Sequence, residues 1–491
     1  MKRLLKVLSV SLVSLLVVAA FSFAGGSKEA AAMTSQGGRV DLQGKTIHMT
    51  ILGIGGWIPS RLGVEMAPIF QKYAKEKYGY NAEFSYQDAP FTSLYQKAAT
   101  SLATHSQEFN IIISDSQWLG ALSNAGWILK LNSLIEGNPT LSKTQWWDPI
   151  VQESYQSYPD YSNELWGLPQ EGDVLVLYVR KDLVDNPTNQ KNFKAQYGFD
   201  LPSTFEEYSH LTMDKYIDIC KFFTRPADGL YGVAIQYSKE YDYMTGSLYP
   251  FIWSSGGQIW DYKTNAVWGV LNTDSNAKAL ETDVSLLKYA PPGDVDYGIG
   301  QVLDAFTQGK VATAWQWAAE GSGMITPQLE GKVLVVPLPG FMVNGKFMQV
   351  SSLGGQPWVL NKFNDPAHMQ VAKDFMAWWY LPQTQMEFVK QGGNSVVKDV
   401  LDSPGFDNIH PWLRAYKYEL TTEHSRDFWH VPQYAQMLAL QQEYFTGYAS
   451  GAYHDAKSVL DYIAAQQQKI LYDAGISKIP PPTNIANIVA H

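Results

Sequence analysis

A single cysteine, Cys220, occurs among the 491 residues, so no internal disulfide is possible and the fold has to rest on packed cores. That cysteine lies in "MDKYIDICKFF", where Met213, Tyr216, Ile217, Cys220 and Phe223 recur at helical spacing, which reads as a buried small apolar residue. Positive charge is also scarce: 37 Lys and Arg face 47 Asp and Glu, for a net charge of −10. Such a surface is poorly suited to nucleic acid. No Gly-x-Ser-x-Gly, His-Glu-x-x-His or phosphate loop of the Gly-x-x-x-x-Gly-Lys-Ser/Thr type occurs, and the nine His show no metal-ligand spacing. Neither a cofactor nor a metal is therefore expected. Beyond the N-terminus, no apolar run is long enough to span a membrane.

Aromatics, by contrast, are plentiful: 16 Trp, 29 Tyr and 21 Phe, side chains that combine a flat apolar face with, in Trp and Tyr, one polar handle. Most belong in cores; a few suit a half-polar ligand such as a sugar. The length predicts two or more lobes. Residues 1–24 have a basic start (Lys2, Arg3, Lys6), an apolar middle (Leu8 to Ala20) and a small-x-small end at Ser22-Phe23-Ala24. This is the layout of a cleaved signal peptide, with an uncleaved anchor as the rival reading. Residues 25–44 read as a linker. No Cys follows the leader, which argues against a lipoprotein, and a soluble exported protein is best retained in a periplasm.

"KTIHMTILGIGGW" reads as a strand running into a Gly-rich turn, and "PSRLGVEMAPIFQKYAKEKYG" as a helix with Leu62, Met66, Ile69, Phe70 and Tyr73 on one face. "NAEFSYQ" is a strand, "FTSLYQKAATSLATH" a helix, and "FNIIISDSQW" a buried strand ending in polar residues. That alternation argues for an α/β lobe with a mainly parallel sheet, whose ligands bind beyond the carboxyl ends of the strands. The rule points at Gly55-Gly56-Trp57 and at Asp115-Ser116-Gln117-Trp118. A second block holds "GLPQEGDVLVLYVRKDL", a Thr204/Glu207 capping box, and "IGQVLDAFTQGKVATAWQWAAEG", a helix followed by a short strand. "KVLVVPLPG" and "SLGGQPWVLN" read as strands, and the chain closes with helices.

The ordered set "FNIIISDSQW", "LWGLPQEGDVLVLYVRKDLV", "LPSTFEEY", "AFTQGKVATAWQW", "PLPG", "GGQPWVL" and "AKDFMAWWYLPQTQMEFVKQGG" resembles the extracellular solute-binding proteins of sugar ABC transporters, the group that includes maltose-binding protein. The resemblance implies a two-lobe α/β periplasmic binding protein fold with discontinuous lobes, hinge crossings and a C-terminal helical segment. It places residues 45–158 and 323–361 in an N-terminal lobe, and residues 172–322 and 362–491 in a C-terminal lobe. The stretches 182–201 and 399–433 are longer than in the maltose-binding type. It further implies a monomeric receptor that holds a neutral carbohydrate between the lobes and delivers it to membrane permease subunits of an ABC importer. A receptor for a polyol or other solute is the alternative, and an exported carbohydrate-active enzyme using Glu171 and Asp173 a more distant one.

Sugar hydroxyls need planar hydrogen-bonding groups, and the C–H face of the ring needs an aromatic plate. Asp173, four residues after Pro169, matches the family's hydroxyl-binding acid, with Gln170 as its neighbour. The resemblance also points to Asp115, Gln117 and Trp118 at a strand end and to Trp315, Gln316 and Trp317, where relatives place a stacking Trp. Tyr241, Asp242 and Tyr243 fall where relatives carry an acid and an aromatic. Trp57 joins the rim, Gly354-Gly355-Gln356 offer backbone N–H groups, and Asn394 and Trp429 complete the candidates. None of the rim motifs carries clustered Arg or Lys, as a phosphate ester would require.

Overall fold

The computed structural model describes residues 39–491, so the leader and most of the linker lie outside the described residues. In chain order the strands are β1 (Thr46–Ile54), β2 (Asn81–Ala89), β3 (Ile111–Ile113), β4 (Leu168–Pro169), β5 (Asp173–Arg180), β6 (Tyr231–Ala234), β7 (Val311–Trp317) and β8 (Val333–Val336). A hairpin of β9 (Phe341–Val343) and β10 (Lys346–Met348) follows, then β11 (Ser351–Gly354), β12 (Pro357–Leu360) and β13 (Ser425–Arg426).

Two sheets organise these strands. The first has the order β2-β1-β3-β12-β4, with β1 parallel to β2 and β3, and β12 antiparallel to β3 and β4. The second runs β13-β11-β5-β7-β6, with β8 also paired to β5. β5, DVLVLYVR, is buried from Asp173 to Val179, as its apolar sequence demands for a strand flanked on both edges.

The chain passes between the sheets twice in the same place. β4 leads to β5 through Gln170–Gly172, and β11 leads to β12 through Gly355 and Gln356. The crossings run side by side: Gly354 faces Asp173, Pro357 faces Pro169, and the N–H groups of Gln170 and Glu171 donate to the Gln356 carbonyl at 2.7 and 3.3 Å. Gly355 has φ 101°, and a Cβ there would meet Tyr155 Oη at 2.7 Å and Asp173 N at 2.9 Å. Only glycine fits that crowded, left-handed position.

Most expected elements are present, with instructive departures. The first long helix is two, Ile58–Glu65 and Ala67–Tyr78, broken at Met66 with Pro68 starting the second. Its apolar face turns accordingly: Phe70 is buried and Ile69 exposed. In the helix Met213–Phe223, Ile219 rather than Ile217 joins Cys220 in the core. "SLGGQPWVLN" holds two strands in different sheets, and two further helices, Leu413–Glu419 and Tyr434–Ala449, lacked a sequence signal strong enough to be anticipated.

Strand pairing also divides residues 323–361 differently from the expected lobe boundaries. β8 and β11 join the second sheet and only β12 the first. The helix Pro366–Trp379 packs on the first sheet, because Phe375 meets Phe70 and Phe84 at ring distances of 5.2 and 5.3 Å and Trp379 meets Trp358 at 5.4 Å. Each such aromatic pair contributes roughly 0.5–1.5 kcal/mol beyond its buried area. The last long helices, Tyr434–Ala449 and Ala456–Asp473, belong instead with the second sheet. There Tyr249 binds Gln441, and Gln468 accepts the Val267 N–H at 2.8 Å.

Candidate functional site

Beside the crossings, a cavity is lined by Trp57, Phe91, Asp115, Ser116, Gln117, Asp173, Tyr241, Asp242, Tyr243, Ile299, Trp317 and the stretch Leu353 to Gln356. Strand ends supply most of these groups. Trp57 follows β1, Asp115 follows β3, Asp173 begins β5 and Trp317 ends β7. Asp115 accepts the Gln117 N–H at 3.0 Å and so caps a short 3-10 turn, which holds Gln117 in place.

Groups from the two sheets bond directly to each other across this space. The Tyr241 hydroxyl donates to Asp115 Oδ2 at 2.5 Å, and Gln117 Nε2 donates to Asp242 Oδ2 at 2.7 Å. Phe91 and Tyr241 meet with ring centroids 5.0 Å apart and the rings tilted by 30°. The centre of a water molecule can reach only about 30 Å³ of the cavity, room for a water or two and not for a sugar ring. The cleft is therefore closed upon its own side chains.

Acids dominate the electrostatics. Burial pushes Asp115 up to about 6, against the pull of the Tyr241 hydroxyl and the Gln117 N–H. Burial, reinforced by Asp115, raises Asp242 to about 8. Asp173 is raised well above the carboxylate range by burial, although its Oδ1 accepts the N–H groups of Val174 at 2.8 Å and Ala319 at 3.0 Å. Its Oδ2 is buried with no partner. Behind it, burial raises Glu171 well above its ordinary value and Glu320 to about 7. The Trp57 indole N–H bridges Glu171 Oε1 at 2.9 Å and Gln356 Oε1 at 2.8 Å. No lysine or arginine is among the residues lining the cavity. Uncharged carboxyl groups both donate and accept, which suits hydroxyl groups.

Six expected residues stand outside this lining. Trp315 faces the same way as Trp317 but deeper, where it stacks on Phe251 at 5.0 Å and donates to Tyr216 Oη at 3.0 Å. Gln316, on the opposite side of β7, binds Gln236 and the Ile299 carbonyl. Trp118 packs on Tyr95 at 5.5 Å. Gln170 donates to the Pro59 carbonyl at 3.0 Å, and Asn394 accepts from Trp412 Nε1 at 3.0 Å while its carbonyl holds the Gly172 N–H. Trp429 is wholly buried beside Phe428. In each case packing or a hydrogen bond within the protein claims the side chain. Phe91, Ser116, Ile299 and Leu353 line the cavity without having been singled out. Ser116 lay inside a quoted motif; the others carry only an apolar signal indistinguishable from core.

Among the described residues no cluster of three or more His, Cys, Asp or Glu is arranged to hold a metal ion, and no helix is long and apolar enough to cross a membrane. A family model described as "Bacterial extracellular solute-binding protein" matches residues 62–386. Solved structures with the same fold include an ABC transporter solute-binding protein from Agrobacterium radiobacter K84 in complex with ribitol, 19% identical, TM-score 0.70, covering 87% of this chain and 99% of that one. Maltose-bound MalE3 of T. maritima is 18% identical, with TM-score 0.70 over 87% of this chain and 100% of that one. A solute-binding protein from Thermotoga lettingae bound with α-D-tagatose is 18% identical, with TM-score 0.69 and coverage of 87% and 100%.

Proposed function

We propose, from the premise that this chain belongs to the bacterial extracellular solute-binding protein family, that it is the periplasmic receptor of an ABC importer and binds a neutral carbohydrate between its lobes. The observation that carries the reading is the composition of the inner cavity. Acids, two amides and phenols from both sides of the crossings converge there with Trp57 and Trp317, and no cation joins them. Hydroxyl groups of a sugar would replace the bonds those groups now make to each other, Tyr241 with Asp115 and Gln117 with Asp242. Ligand and protein thus compete for the same partners, and the solute wins by bridging both lobes at once. Trp317 is the better ring platform, because Trp315 is committed to the core.

Closure pivots on the paired crossings at Gln170–Gly172 and Gly355–Gln356, which carry few residues and lie side by side. The lobes then follow the two sheets, with residues 45–158, β12 and the helix Pro366–Trp379 on one side and the rest mainly on the other. The closed receptor, a monomer, docks on membrane permease subunits and releases its solute there. It is a carrier rather than a catalyst: Asp173 lines the cavity and Glu171 does not, so the two carboxyls do not face one shared space.

A linear polyol is the second reading, favoured by the narrow cavity and by the relative that holds ribitol. A thermal-shift screen with maltose, D-tagatose, ribitol and D-mannitol tests both. A rise in melting temperature with solute recovered unchanged is expected. A flat response to all four would overturn the assignment to polyhydroxy solutes.

A further inference from the structure

Outside the inner cavity lies a second chamber, where the centre of a water molecule can reach about 650 Å³. Its walls come from the helix Pro149–Tyr155 with the loop after it, from the stretch around Trp253–Tyr262, and from Thr422–His430. The wall towards the inner cavity is thin. Ser116, which lines the inner space, donates to Asp427, which lines the outer one, at 3.4 Å.

Most charges in the chamber are already committed. His430 lies between Asp160, 2.7 Å from Nδ1, and Asp427, 3.1 Å from Nε2. Asp261 accepts the Lys263 N–H at 2.9 Å and the Thr264 hydroxyl at 2.8 Å within its own turn. Glu153 and Arg426 remain. Arg426 uses Nη1 on the carbonyls of Thr422 and Ser425, which leaves the other donors of its planar fork available. The lining sets Glu153, Asp160, Asp261 and Asp427 against Arg426 and His430, an acidic excess that disfavours anions, while Glu153 and the free donors of Arg426 offer an acceptor and donors to hydroxyl groups.

Aromatic rings guard the mouth. Tyr161 and Tyr262 meet at 4.1 Å with their rings tilted by 37°, yet they are 54% and 39% exposed. Half-buried Trp260 lies beside them in the lining. Tyr161 has φ 59°, a left-handed conformation that a tyrosine keeps only where its surroundings hold it. Tyr161 precedes the first crossing and Tyr262 follows it, so their contact joins two parts of the chain that hinge opening would separate.

We propose that this chamber is a second saccharide site, in which a sugar ring lies against Trp260 and Tyr262 while Glu153 and Arg426 bind its hydroxyl groups. The proposal rests on the reading of the chain as a receptor for neutral polyhydroxy solutes. Occupancy favours the closed form, because the walls come from both sides of the crossings.

Calorimetric titration of the full chain with maltose, maltotriose and D-mannitol tests it. The wild type is expected to show two classes of site for at least one of these solutes. Trp260→Ala and Tyr262→Ala should each weaken one class about threefold to tenfold, the range of an aromatic contact, and leave the other unchanged. Asp173→Ala should do the reverse. Tyr262 is exposed, so its variant keeps the test sound if Trp260→Ala fails to fold. Wild-type titrations from both chamber variants, with binding lost in Asp173→Ala, would overturn the second site and leave the receptor intact. No heat from any solute with the wild type would overturn both.

Discussion

The inner cavity and the His430 cluster bury acids in opposite ways. Asp115, Asp173 and Asp242 face amides, phenols and backbone N–H groups, and burial raises each above its ordinary value. Asp160 and Asp427 face an imidazole, and they lift His430 well above 6.5 despite its complete burial. Acids raised by burial hold their charge weakly and can exchange hydrogen-bond partners. Acids around a cation become a fixed ion triad that ties the loop at Asp160 to the segment at Asp427 and His430. In the proposed receptor the first arrangement suits a site that opens and the second a joint that stays.

The largest effect should come from breaking the joint. His430→Ala strands two carboxylates in a buried place and is expected to cost about 3–5 kcal/mol in urea unfolding. A loss below about 1 kcal/mol would erase the distinction between the two regions. Asp173→Ala strands the buried N–H groups of Val174 and Ala319 and should cost about 1–3 kcal/mol, less than His430→Ala. It should weaken solute affinity about tenfold to a hundredfold in the same calorimetric titration, since a hydrogen bond to a buried group is removed.

Acidity separates the regions without any mutation. A raised acid contributes stability that is complete below its unfolded value of 3.8 and is lost as pH rises through its folded value, about 6 for Asp115 and about 8 for Asp242. His430 contributes fully below 6.5 and loses its share only as pH rises through a value well above that. Between pH 4 and 6.5 the inner acids therefore change while His430 does not. The ligand-free cleft should open progressively over that range, and the radius of gyration from solution scattering should rise. A constant radius across pH 4 to 8 would contradict the raised values.

Smaller effects complete the ranking. Tyr241→Phe removes one bond to Asp115 and should cost the ligand-free closed form about 1 kcal/mol, read as a slightly larger mean radius at pH 5. Asp242→Asn replaces a neutral acid by a neutral isostere, so at pH 3, where the unfolded chain is also protonated there, unfolding should shift by less than about 0.5 kcal/mol.

Much of the framework was legible in residue order. Apolar runs named β3, β5 and β7, and the Thr204/Glu207 box marks a helix start that the structure reproduces. Pro169 with Asp173, and Gly354-Gly355-Gln356, were singled out for ligand contact, and the structure places both at the two crossings. Eleven of the seventeen candidates line one cavity, chiefly those at strand ends, where chain direction alone predicts exposure to a cleft. Aromatics were harder. Trp118, Trp315 and Trp429 carry the same chemical signal as Trp57 and Trp317 but serve as packing.

Sequence alone thus determined the α/β alternation, the acidic and cation-poor rim, and Asp173 at the head of a buried strand, because these follow from local periodicity and composition. Tertiary structure alone decided that Glu171 meets the Trp57 indole, that Tyr241 meets Asp115, and that Trp317 lines the cavity while Trp315 stays below it. Alternation along a strand fixes which face a side chain takes. How far that face lies from the sheet's end, and what packs over it, depends on contacts between segments a hundred or more residues apart.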